Sequence, residues 1–105
     1  MEVELDAFSG RPNPVWTVTA DEAAALRALL ATSGAPVPAP AEGLGYRGFV
    51  LRDGVGAAAA TWRVHAGTLS RGGPHQADTL GAETWLIRYA RAQGFAAVFV
   101  NLPQR

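Results

Sequence analysis

Two histidines, nine arginines and a row of three carboxylates are the side chains of this sequence with the most chemistry to offer. Imidazole titrates near neutrality, so His65 and His75 are the groups able to act as acid, base or metal ligand. With no cysteine present, a zinc site would need both histidines and a carboxylate such as Asp78 or Glu83. The two are separated by a strand end and a glycine-rich loop, which matches no established ligand spacing, so no metal or other cofactor is expected. Taken singly, His65 lies beside Arg63 on an outward strand face and is the one candidate for a catalytic acid or base.

Glu2, Glu4 and Asp6 alternate with apolar residues, which sets their carboxylates about 7 Å apart along a strand. A hard cation wants oxygen ligands converging at about 2–2.6 Å, and a straight strand does not converge them. The row is therefore expected to face arginines across a sheet.

Residues 8–16 read FSGRPNPVW. Gly10 opens backbone angles closed to other residues, while Pro12 and Pro14 fix their own φ and bias Arg11 and Asn13 toward extended conformation. Such a loop is low in entropy, so it can present Ser9, Arg11 and Asn13 to an anionic or peptide-like partner without a large ordering cost. The candidate contact set is Ser9, Arg11, Asn13 and Trp16, joined by Arg47 and Arg63. The plainer reading makes the motif a stiff turn, with Ser9 and Asn13 bonding their own backbone, Arg11 paired to an acid and Trp16 in the core. The run F-S-G-R-P-N-P-x-W, with the helix after it, resembles a stretch of small uncharacterised bacterial proteins. That resemblance covers about a quarter of the chain and implies no activity.

Other glycine-rich stretches say less. Gly54, Gly56 and Ala59 fit the G-x-G-x-x-A pattern of dinucleotide loops, but that pattern requires a helix immediately afterwards and residues 60–64 read as strand. SRGGPH (70–75) lacks the lysine and spacing of a P-loop, and no serine sits in a G-x-S-x-G elbow.

Bulk properties narrow the classes further. A chain of 105 residues, 49% hydrophobic and 17% charged, is one domain with a modest core. A formal net charge of zero removes the field that non-specific nucleic-acid or anionic-membrane binders use. No run approaches the roughly 20 apolar residues of a membrane span, and the opening MEVELDAF lacks a secretory pattern. A soluble cytoplasmic protein is expected.

The elements that must position these residues follow from periodicity. Residues 2–8 and 15–19 read as strands. Thr19 and Glu22 make a capping box that starts a helix over 20–32, stopped by Ser33-Gly34. The Ala/Pro/Gly stretch 34–45 reads as an extended crossover. Strands over 46–52 and 60–66 form a hairpin, 67–78 is turn-forming, a helix runs over 80–93 capped by Asp78 or Thr79, and 95–102 is a last strand. The resulting order β-β-α-β-β-α-β predicts an α+β two-layer sandwich, a mainly antiparallel sheet of about five strands with two helices on one face in a ferredoxin-like order.

Three functions compete on this sequence. The first is a non-catalytic binding or accessory domain that self-associates as a homodimer and contacts a protein or small anionic partner through residues 8–16. The second is a small enzyme gathering Arg11, Arg47, Arg63 and His65 around an anionic metabolite. The third is a structural assembly subunit.

Overall fold

The computed structural model describes residues 1–31, 34–41, 43, 45–55 and 59–100. Over β1 (Glu2–Leu5), Val3 and Leu5 are fully buried and alternate with the partly exposed Glu2 and Glu4. That is the period of a strand whose two faces meet different surroundings. β2 (Val15–Thr17) pairs beside it. α1 (Ala20–Leu30) begins at the expected capping box, where Thr19 Oγ1 accepts from the Glu22 N–H at 3.1 Å and Glu22 Oε1 accepts from the Thr19 N–H at 2.9 Å. The anticipated helix end at Thr32 and Ser33 lies outside the described residues.

The proline-rich connection holds β3 (Pro36–Val37). β4 (Phe49–Asp53) and β5 (Ala60–His65) then form the expected hairpin, with Phe49 opposite Val64 and Leu51 opposite Trp62. β6 (Thr68–Ser70) and β7 (His75–Ala77) extend it, and α2 (Ala82–Ala90) follows. Asp78 caps α2: its Oδ1 accepts from Gly81 and Ala82 N–H at 3.1 and 2.9 Å, and its Oδ2 from Glu83 N–H at 2.9 Å. Among the described residues seven strands lie in the order β2-β1-β4-β5-β6-β7-β3, and every neighbour is antiparallel.

Register places Val3, Leu5, Phe49, Leu51, Val64 and Leu69 on one face of this sheet. They join Leu26 and Leu30 of α1 and Ala82, Leu86 and Ala90 of α2 in one core cluster. Each of the large apolar side chains buried there contributes about 1.5–3 kcal/mol. Among the described residues no buried side-chain N or O lacks a hydrogen-bond partner, and no helix is long and apolar enough to cross a membrane.

The α+β class and antiparallel sheet agree with the sequence; strand number and order do not. The stretch 67–78 holds two strands and not only turns: Ala66 and Gly67 (φ 53° and 76°) make a two-residue connection between β5 and β6 whose positive φ values suit the sheet's twist, and residues 71–74 connect β6 to β7. Thr-Leu-Ser and His-Gln-Ala carry little β-propensity of their own. The connection 34–45 supplies an edge strand as well as a crossover. The predicted last strand is helical: the chain leaves α2 through a wide turn at Arg91–Phe95, with Gly94 at φ 97°, into a 3₁₀ helix at Ala96–Phe99. A short apolar run is ambiguous by periodicity alone. Here Phe99 packs on Tyr46 and Phe49, and Phe95 on Phe8 and Trp16. Without a closing strand the ferredoxin-like order is lost. Residues 101 and 102 of that run lie outside the described residues.

Candidate functional site

The face of the sheet away from the core carries the polar residues. Register aligns Glu4, Val50, Arg63, Ser70, His75 and Val37 in one row across six strands. The ladder continues past β1, since the Asp6 N–H donates to Gly48 O at 3.0 Å and the Arg47 N–H to Asp6 O at 2.7 Å. Gly48 sits at φ 96°, and a Cβ there would lie 2.3 Å from Val64 O and 2.5 Å from His65 Cβ. Only glycine allows β4 this close to the end of β5, where His65 stands.

Above these rows is a cavity of about 140 Å³ lined by Ala39, Pro40, Arg47, Arg63, His65, Thr68 and His75. Three of the four residues anticipated for an anion pocket, Arg47, Arg63 and His65, therefore meet in one place. Arg11 is not among the lining residues; its guanidinium lies 3.8 Å from the Phe8 ring centroid, a cation–π contact in place of the expected ion pair. Ser9 is exposed, and Trp16 is half-buried, edge-on to Tyr89 and Phe95.

Asn13 is spent inside the fold. Its Oδ1 accepts from the Ala7 and Phe8 N–H groups at 3.2 and 3.0 Å, and its Nδ2 donates to Glu4 at 3.1 Å and Asp6 at 3.4 Å. The loop thus holds the carboxylate row from behind, and arginines take the row from the front. Arg52 bridges Glu2 and Glu4 at 3.3 and 2.9 Å, Arg47 reaches Asp6 Oδ1 at 2.9 Å, and Arg63 reaches Asp6 Oδ2 at 3.1 Å. Hydrogen bonds to the two glutamates hold the Arg52 pKa above its ordinary value.

Charge and donors remain unbalanced at the cavity. Arg47 and Arg63 share the single carboxylate of Asp6, and among the described residues no acidic side chain lines the cavity. Arg47 commits Nε and Nη2, to Asp6 and the Phe8 carbonyl, which leaves its Nη1. Arg63, with a half-exposed side chain, commits Nη2 alone. A guanidinium has five N–H donors, so most of those on Arg63 are unused among the described residues.

The histidines are held from different sides. His65 lies edge-on to Tyr46, with ring centroids 5.5 Å apart, and the Tyr46 hydroxyl donates to Glu83 at 2.7 Å. Glu83, buried on α2, also accepts from the Ala66 and Gly67 N–H groups at 3.1 and 2.8 Å, which secures the turn after His65. His75 contacts Thr68 Oγ1 through Nδ1 at 3.3 Å. Glu83 and Asp78, the carboxylates a zinc site would have needed, are engaged on backbone N–H groups. Among the described residues no three histidine, aspartate or glutamate side chains are grouped to hold a metal ion.

Thr68, Tyr46 and the cavity role of His75 were missing from the sequence reading. The alternation Thr68-Leu69-Ser70 was the available signal, with polar residues in phase with Thr61, Arg63 and His65. A wider groove of about 450 Å³ lies on the core side, where α1 ends, against Trp62, Arg71 and Gln76. There Arg27 pairs with Asp53 at 2.7 Å and keeps that carboxyl below its usual range, while the Arg71 guanidinium lies 5.5 Å from the Trp62 ring centroid. Of the dinucleotide-like pattern, Gly56 lies outside the described residues, and the residue after Ala59 begins β5, a strand. SRGGPH is the loop of the β6–β7 hairpin.

No family model, curated protein or solved structure matches this chain.

Proposed function

We propose that this protein is a small binding domain, a two-layer sandwich whose polar face holds a small anionic ligand between Arg47 and Arg63. One observation supports the reading above others: two arginines share the single carboxylate of Asp6 and both line a cavity that, among the described residues, no acidic side chain lines. Guanidinium forks bind carboxylate and phosphate oxygens with charge-assisted bonds. Drug-sized ligands occupy roughly 300–1,000 Å³, so a cavity of about 140 Å³ suits an anion of a few heavy atoms. In this reading the 8–16 loop acts indirectly, by positioning Asp6 through Asn13.

Titration of the ¹⁵N-labelled protein with inorganic phosphate tests it. The expected outcome is saturable shifts at Arg47, Arg63, His65, Thr68 and His75. Arg63→Gln weakens binding at least about tenfold, the cost of one or two charged hydrogen bonds, and Arg11→Gln leaves it unchanged. Shifts centred on residues 8–16, or an affinity lost equally in both variants, would return the contact to the loop.

A further inference from the structure

We infer that the cavity selects oxyanions that still carry a proton, hydrogen phosphate over sulfate, because Thr68 fixes the tautomer of His75. This inference rests on the cavity being an anion site. Thr68 Oγ1 has two neighbours, the His65 carbonyl oxygen at 2.9 Å and His75 Nδ1 at 3.3 Å. A carbonyl only accepts, so the contact at 2.9 Å requires the hydroxyl's single proton. Oγ1 then faces His75 with lone pairs alone, and a hydrogen bond there requires the proton on Nδ1. Neutral His75 is thereby the Nδ1–H tautomer, and its other nitrogen, Nε2, carries a lone pair.

The strands impose this geometry. His65 and Thr68 are the closing pair of the β5–β6 hairpin, and Ser70 pairs with His75 across β6–β7. Thr68 and Ser70 are buried, so the hydroxyl has little access to water as an alternative partner. His75 therefore offers the cavity an acceptor, while Arg47 and Arg63 offer donors. A ligand that satisfies both has anionic oxygens on one side and an O–H on the other. Hydrogen phosphate has this form. Sulfate has the same charge and shape but no O–H, and it would set an oxygen lone pair against Nε2. A site with a committed polar group rejects the isostere that cannot pair with it far more strongly than an apolar pocket does.

Calorimetry of the intact protein with sodium phosphate and sodium sulfate at about pH 8, above the ordinary histidine range near 6.5, reads the preference directly. Phosphate is expected to bind at least about tenfold more tightly, a difference of one hydrogen bond. Thr68→Val releases the tautomer and narrows the ratio, and Thr68→Ser restores it. Long-range ¹H–¹⁵N spectra of the free protein give the His75 tautomer without any ligand, so the inference stays testable if Thr68→Val does not fold. Equal binding of the two anions, or an Nε2–H tautomer, would overturn the selectivity and leave the anion site standing. Binding of neither anion would overturn both.

Discussion

Asn13 shows how a conspicuous residue can be architectural. Its side chain ties two backbone N–H groups of the loop to two carboxylates of the acidic row. Removing it orphans part-buried donors, which costs about 1–3 kcal/mol. Asn13→Ala is expected to lose about that much in chemical denaturation, and a loss below about 0.5 kcal/mol would show that water replaces the amide. The type of this residue and its place between two prolines were legible in the sequence. Its partners were not, because Glu4 and Asp6 come within reach only when β1 and β2 pair. Arg11 illustrates the converse: the expected acid partners exist, but Arg47, Arg52 and Arg63 occupy them, and Arg11 stacks on Phe8.

At the scale of elements, the β5–β6 hairpin is the junction on which the site depends. Ala66 adopts φ 53°, a region that costs a non-glycine residue about 1–2 kcal/mol. The Glu83 carboxylate, buried on α2, offsets this by accepting from the Ala66 and Gly67 N–H groups. Ala66→Gly removes the steric cost while adding freedom to the unfolded chain. The net expectation is a gain of up to about 1 kcal/mol, seen as a higher Tm; a lower Tm would show that the strain at Ala66 is smaller than the freedom glycine adds to the unfolded chain. Strong local codes were readable here: the capping box of α1, the alternation of β1 and the Asp78 cap of α2 each depend on neighbours a few residues apart. β6 and β7 were not readable, since their pairing comes from the turn at Ala66-Gly67 and from neighbouring strands more than from their own residue types.

At the scale of the whole molecule, one core cluster joins strands from both halves of the chain to both helices. A single core of this kind unfolds as one unit. Urea transitions followed by far-ultraviolet circular dichroism and by tryptophan fluorescence are therefore expected to coincide, since Trp16, Trp62 and Trp85 all pack against that cluster. Separate midpoints would show that the polar-face hairpins melt independently. The sheet edges carry short strands, and β3 is flanked and interrupted by prolines, which limits edge-to-edge pairing. The α+β class, the helix starts, the central hairpin and the pairing of a carboxylate row with arginines were legible in the residue order alone. These rest on short-range periodicity, capping and charge balance. Tertiary packing set the rest: that 95–99 is helical, that the described residues form a seven-stranded sheet, and that Arg47, Arg63, His65, Thr68 and His75 share one cavity. Those residues meet through cross-strand register and a glycine-permitted close approach, and register is set by packing between segments distant in the chain.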